Sequence, residues 1–149
     1  ALLLTNDGAL SHRLQHPRYG VDKEYRVLVK GLVDDVAVDS LRIGLYLPND
    51  PKRTAPAGVE VLERSPRRTR LVVTLHEGRN RQVRRMLEAV GHEVVVLERV
   101  RIGPVHLGDL DPGTYRELTR EEVRALRRPA AARGAPRRRG RKKEHEGNP

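Results

Sequence analysis

Residues 79–85 read RNRQVRR, which packs four arginines, an asparagine and a glutamine into seven positions. Guanidinium forks match carboxylate and phosphate oxygens, so this cluster is the chain's first candidate for chemistry. Val83, Met86, Leu87 and Val90 fall at i, i+3, i+4 and i+7, and that spacing predicts an amphipathic helix over 81–90. Asn80 is placed to cap its start and Gly91 to take the left-handed turn at its end. Glu88 stands four residues after Arg84, within reach of an ion pair. Gly78 permits a tight turn just before the helix. A helix N-terminus beside several guanidinium groups can hold a phosphate or a carboxylate. The same pattern also describes a solvated basic face on a core helix, and spacing alone does not separate the two.

Tyr25 is the second candidate. The chain has no Phe or Trp, so only Tyr19, Tyr25, Tyr46 and Tyr115 could stack on a base. On a strand beside Lys23, Tyr25 could offer a flat face while the cation anchors a phosphate; on spacing alone an ordinary core or half-buried strand tyrosine is the better fit. His12 and His16 are four apart and could ligate a metal from one helix face, but no third ligand is evident and Pro17 cuts the helix short, so no metal is expected. His76-Glu77 lacks a serine or cysteine elbow, which leaves a hydrolase triad without support. Asp7, in Asn6-Asp7-Gly8, reads as a turn residue rather than a catalytic carboxylate.

A chain of 149 residues forms one domain, or one domain with a tail. Its formal net charge of +10 is uneven: residues 127–149 hold nine Arg/Lys against two Glu, a net +7, which leaves +3 for the rest. Polyanions, nucleic acid first, are the natural partners. The absence of cysteine excludes disulfides, thiolate chemistry and cysteine-based zinc sites. No apolar run approaches the ~20 residues of a membrane span.

The elements that must position these residues follow in order. Residues 2–4 read as a strand, closed by the turn 5–8, and a short helix is expected over 9–14. Residues 22–30 alternate, with Tyr25, Val27 and Val29 on one face. A helix is expected over 34–43, loop over 45–56, strands over 58–63 and 69–76, and the basic helix over 81–90. Residues 93–101 read as a strand continuous enough to be central in a sheet; 102–107 could extend it past Gly103-Pro104, and 115–118 is a short final strand. Thr119-Arg120-Glu121-Glu122 is a capping box that opens a helix to about residue 126. Beyond residue 127 the sequence is an Arg/Lys-rich tail without periodicity, read as disordered. The predicted class is α+β, with a mixed, mainly antiparallel sheet and a few helices, as domain 1–127 and tail 128–149.

The blocks LLLTNDGALSHRLQHP, DKEYRV, EGRNRQVRRMLEAVGHEV and VRIGPVHLGDLDPGTYRELTREEV occur in this order. Together they resemble the RsuA-like pseudouridine synthases, bacterial enzymes that isomerise uridine in ribosomal RNA. The resemblance covers residues 1–126. It implies a pseudouridine synthase catalytic fold, no metal or cofactor, and ribosomal RNA as partner; a cytoplasmic location is expected, and a monomer is the default. It further implies that Tyr25 stacks on the target base and that Arg84 pairs with a nucleophilic aspartate. Lys23, Arg79, Asn80, Arg81 and Gln82 would line the cleft or hold RNA phosphates. The family's nucleophile lies in a Gly-Arg-Leu-Asp segment just before the stretch that matches residues 2–8. On that alignment this chain is a C-terminal part, without that aspartate or the S4-like domain that family members usually carry, and is expected to be inactive by itself. The alternative is a non-catalytic basic RNA-binding module or ribosome-associated protein.

Overall fold

β1 (Lys23–Lys30) is the centre of the molecule, in a computed structural model that describes residues 1–128. Its alternation puts Val27 and Val29 on a buried face and Arg26 and Lys30 in solvent. β1 pairs antiparallel with β3 (Arg68–Leu75) on one side and β4 (Val94–Ile102) on the other. β2 (Gly58–Arg64) closes the β3 edge and the two-residue β5 (Val105–His106) lies beside the end of β4. Every pairing among the described strands is antiparallel, and the α+β expectation holds.

α1 (Gly8–Gln15) is capped by Asp7, whose Oδ1 accepts from the Leu10 amide at 3.0 Å. Asp7 is thus a helix cap, not only a turn residue. α2 (Asp35–Ile43) is capped by Asp34 and stops at Gly44, at φ +90°. α3 (Gln82–Ala89) is the basic helix, and α4 (Arg120–Arg127) opens with both halves of its capping box formed.

Two cores follow from this arrangement. Ala37, Val38 and Leu41 of α2 and Val83, Met86 and Leu87 of α3 cover Val27, Val29, Leu71 and Val73 on one face of the sheet. Leu10 and Leu14 of α1 meet Val21, Ile102, Val105 and Leu126 at the end of the sheet where β1 starts. Burying a side chain of this kind contributes about 1.5–3 kcal/mol, which is why these short helices hold.

Four expectations fail, the first three for want of a full-length partner and the last because the chain turns back. Residues 2–4 form no strand: Leu2 and Leu4 are exposed, and the segment is tied to β4 by the Ala1 and Arg99 backbones. Residues 115–118 are also irregular, with Tyr115 88% exposed. β4 is not central, since beyond it lies only β5, and Val95 and Val96 are about half exposed. Beyond Ile102 the run does not prolong β4; the chain reverses at Gly103-Pro104 and β5 pairs back onto Arg101 and Ile102. The predicted tail lies outside the described residues, Arg128 apart.

Candidate functional site

Lys23, Tyr25 and residues 79–82 lie where β1 begins, β3 ends and α3 starts, whereas Arg84 reaches the Val94 carbonyl, opposite Val29 toward the other end of β1. β1 carries Lys23 and Tyr25 on its core-facing side, opposite Leu75 and Val73 of β3. Tyr25 is half-buried at the margin of the larger core. Its hydroxyl has no hydrogen-bond partner among the described residues, so its outer edge stays available to a ligand.

The pairing with β4 brings in a residue that sequence reasoning missed. Glu24 faces Arg101 and Tyr25 faces Arg99, which leaves Val100 as an extra residue in β4. Such a bulge re-aims the neighbouring side chains. Arg101 therefore goes to the outer face, where its Nη2 lies 2.9 Å from Glu24 Oε2, while Arg99 takes the face of Tyr25 and Lys23. Alternation alone would have put both arginines on one side.

Lys23 and Arg99 form no ion pair with any described carboxylate. Lys23 Nζ donates to the Val21 carbonyl at 3.3 Å, and Arg99 Nε to the Ala1 carbonyl at 2.9 Å. Burial lowers the Lys23 pKa, the positive charge of Arg99 lowers it further, and Asp22 opposes both. Gly78 lies beside this ammonium: a Cβ at that position would come 3.8 Å from Lys23 Nζ, an ordinary contact. Two cations thus stand beside Tyr25 with no carboxylate directly paired to either, Asp22 acting on Lys23 only at longer range. An anion placed there would relieve their repulsion.

At the start of α3 the expected cap is displaced by one residue. The N-cap is Arg81, not Asn80. It sits in the left-handed region at φ +49° and makes no side-chain capping bond. That conformation costs a non-glycine residue about 1–2 kcal/mol, and such strain concentrates at functional positions. The left-handed residue after the helix is Gly91, as expected, at φ +88°.

The rest of the motif is used to fasten loop 44–57. Arg79 Nη1 lies 2.7 Å from Asp50 Oδ2 and from the Lys52 carbonyl, and its Nη2 lies 2.6 Å from the Arg53 carbonyl. Glu77 Oε1 accepts from the Ala55 amide at 3.0 Å and from Gln82 Nε2 at 2.5 Å, with Arg79 Nε at 3.3 Å. Gln82 is 3% exposed, and its Oε1 accepts from the Arg79 amide. Burial opposes the Arg79 charge, but Asp50 and Glu77 outweigh it and the pKa rises. Arg85 donates to the Pro48 carbonyl at 2.8 Å.

Arg84 donates from Nη1 to the Val94 carbonyl at 3.3 Å, not to Glu88. No hydrogen bond, ion pair or cation–ring contact joins it to Tyr25. Asn80 and Arg81 are exposed, and no hydrogen bond or ion pair engages their side chains among the described residues. Of the four arginines in 79–85, only Arg81 keeps its guanidinium unengaged.

Other candidates resolve locally. His76 Nδ1 meets Asp22 Oδ1 at 2.7 Å, and His12 and His16 stand with ring centroids 5.1 Å apart. No group of three His, Cys, Asp or Glu among the described residues could hold a metal ion. No described helix is long and apolar enough to cross a membrane. A cavity of about 980 Å³ between residues 1–7 and 110–118 does not have Tyr25 in its lining, which includes Leu2, Leu3, Leu4, Leu10 and Leu118.

The sequence has clear relatives. Residues 1–89 match the family model for RNA pseudouridylate synthase. Ribosomal large subunit pseudouridine synthase B of Bacillus subtilis is 44% identical over 128 residues, 85% of this chain and 52% of that protein. Ribosomal small subunit pseudouridine synthase A of Escherichia coli K12 is 43% identical over 126 residues, 84% of this chain and 53% of that protein. A crystal structure of a pseudouridylate synthase superposes with a TM-score of 0.77 at 36% identity, over 82% of this chain and 52% of that one. The chain spans about half the length of the curated relatives it matches. With the five-stranded sheet and the arginine motif in the positions described, this chain belongs to the RNA pseudouridylate synthase family, among the RsuA-like and RluB-like members.

Proposed function

We propose that the full-length protein isomerises uridine to pseudouridine in ribosomal RNA, as a cytoplasmic monomer without a cofactor. The observation that carries this reading is the pair of cations, Lys23 and Arg99, beside the half-buried ring of Tyr25, neither of them ion-paired to a described carboxylate. In the reaction the bond from ribose C1′ to uracil N1 breaks and a bond from C1′ to C5 forms. The C5 proton leaves and N1 gains one, so no redox partner is needed. Tyr25 would stack on the extruded base, and Lys23 and Arg99 would meet a phosphate or the nucleophilic carboxylate.

Arg84 is proposed to hold that carboxylate ionised and oriented. Its single 3.3 Å bond to Val94 leaves most of its N–H groups free for this. Asn80 and Arg81, exposed at the start of α3, would touch RNA. Arg79 and Gln82 are better placed as positioning residues, because their polar atoms are engaged within the protein. By resemblance the nucleophile belongs to a Gly-Arg-Leu-Asp segment, which residues 1–149 do not contain. Asp7 is engaged as a cap and by Arg127 Nη2 at 2.9 Å, so residues 1–149 alone should not catalyse.

The test is to assay pseudouridine formation on ribosomal RNA with the full-length protein and with residues 1–149. Conversion by the former and not the latter supports the reading. RNA binding without conversion by either would favour the non-catalytic module, and conversion by residues 1–149 would return Asp7 to consideration as nucleophile.

A further inference from the structure

Outside the site, the corner formed by α1 and the 3-10 turn Pro17–Tyr19 holds a cluster that the proposed reaction does not use. Residues 8–21 (GALSHRLQHPRYGV) contain Arg13, Arg18, His12 and His16 and no acidic residue. The nearest acids along the chain are engaged elsewhere, Asp7 with Arg127 and Asp22 with His76.

Tyr19 organises the cluster. The Arg18 guanidinium carbon lies 4.5 Å from its ring centroid and that of Arg13 lies 5.1 Å away. Arg18 also donates to the Tyr19 hydroxyl. His12 and His16 approach the same ring edge-on, with centroids at 6.0 and 6.1 Å. A guanidinium held on an aromatic ring is fixed in direction while its outer N–H groups stay open, which is a pre-organised phosphate contact.

The hydrogen-bond inventory is unfinished in the same direction. Arg13 forms no ion pair or hydrogen bond with any described residue, and its Nε is shut from solvent without an acceptor. His16 Nδ1 accepts from the Arg18 amide at 3.3 Å, so a neutral ring carries its proton on Nε2, a free donor. Ser11, His12, Gln15 and His16 line a surface depression of about 510 Å³ beside these groups. Donors outnumber acceptors here, and no carboxylate balances them.

We propose that this corner is a second RNA contact, where Arg13 and Arg18, steered by Tyr19 and flanked by His12 and His16, hold successive backbone phosphates. Three residues separate Tyr19 from Lys23, so the corner feeds directly into the start of β1. A strand whose target base reached Tyr25 would run its neighbouring phosphates past Arg18. The contact would be independent of sequence and would supply register and affinity rather than base choice. The inference rests on the reading of the protein as one that acts on RNA.

The experiment measures affinity of the full-length protein for a labelled single-stranded RNA of mixed sequence across a salt series. The proteins compared are wild type, Arg18→Gln and Arg13→Gln/Arg18→Gln, with thermal unfolding followed in parallel. For every phosphate that the protein ceases to hold, the slope of log K against log salt should become shallower by about 0.7. The double variant should therefore show about twice the change of the single one. Arg18 is exposed and its replacement should leave the fold intact; the single variant therefore decides the matter even if Arg13→Gln is unstable. An unchanged slope in a folded Arg18→Gln protein overturns the proposal, whether or not the wild type converts uridine. A reduced slope in a protein that binds RNA but makes no pseudouridine would keep this site and remove the enzyme reading.

Discussion

Glu77 is the hub of the clasp that ties loop 44–57 to the arginine motif, and removing it gives the sharpest prediction about stability. One carboxylate oxygen serves the Ala55 amide, Gln82 Nε2 and Arg79 Nε, and the side chain is only 19% exposed. Hydrogen bonds to a charged group contribute about 1.5–3 kcal/mol each. The three are coupled, and Arg79 keeps Asp50 when Glu77 is gone, so the loss from Glu77→Ala should be about 2–4 kcal/mol. For a domain of this size that corresponds to a fall in Tm of roughly 6–16 °C. Glu77→Gln keeps an acceptor but loses the charge, and should cost about half as much. Thermal unfolding followed by circular dichroism measures both, and limited proteolysis reports whether the loop has come free. A Glu77→Ala protein that melts within about 1 °C of wild type, with the loop still protected, would refute the clasp and the positioning role given to Arg79 and Gln82.

The Arg116 guanidinium, and next the Thr119 amide, hold Glu122 down to about 2. A depressed carboxylate stabilises the fold above its unfolded value of about 4.5, and that contribution is lost as pH falls toward 2. Arg116→Ala should therefore raise the Glu122 pKa in an NMR titration and weaken the pH dependence of urea unfolding between these values; an unmoved titration would contradict the pairing. At Gly44, φ is +90° and a Cβ would lie 2.2 Å from the Thr54 carbonyl oxygen, so Gly44→Ala should destabilise by about 3 kcal/mol or more, read from urea midpoints. Deleting residues 129–149 removes seven Arg/Lys and two Glu while sparing the Arg127–Asp7 pair; RNA affinity should fall and its salt dependence flatten, and an unchanged slope would place the tail off the RNA.

What could be read from the residues is what local rules determine. The alternation around Tyr25 placed β1, acids at 34–35 and Gly44 bounded α2, and the capping box located α4, because each signal acts within a few residues. Strands that need a partner were less legible. Residues 2–4 and 115–118 have strand-like composition but pair with nothing as strands, and the apolar run in β4 suggested burial on both sides where the structure leaves Val95 and Val96 half exposed. The site was legible as a set of residue types but not as an arrangement. Arg99 reaches the face of Tyr25 only because Val100 bulges, and a bulge is set by pairing with β1. Arg79 and Arg85 looked like anion ligands because their acceptors lie far off in the chain. The carbonyls at 48, 52 and 53 and the Asp50 carboxylate are 26 to 37 positions away, and only folding brings them near. Arg81 in a left-handed cap follows from no propensity rule.

Whether the start of β1 is a reaction site, and not merely a basic surface, is decided most directly at Tyr25. The measurement compares Tyr25→Ala with wild type in the full-length protein, for single-turnover uridine conversion on ribosomal RNA and for binding to non-target RNA. Stacking on an extruded base is worth about 1–3 kcal/mol, so conversion should fall roughly 5- to 150-fold while non-target binding stays near wild type. Equal loss on both, or unimpaired conversion, would contradict a reaction site there.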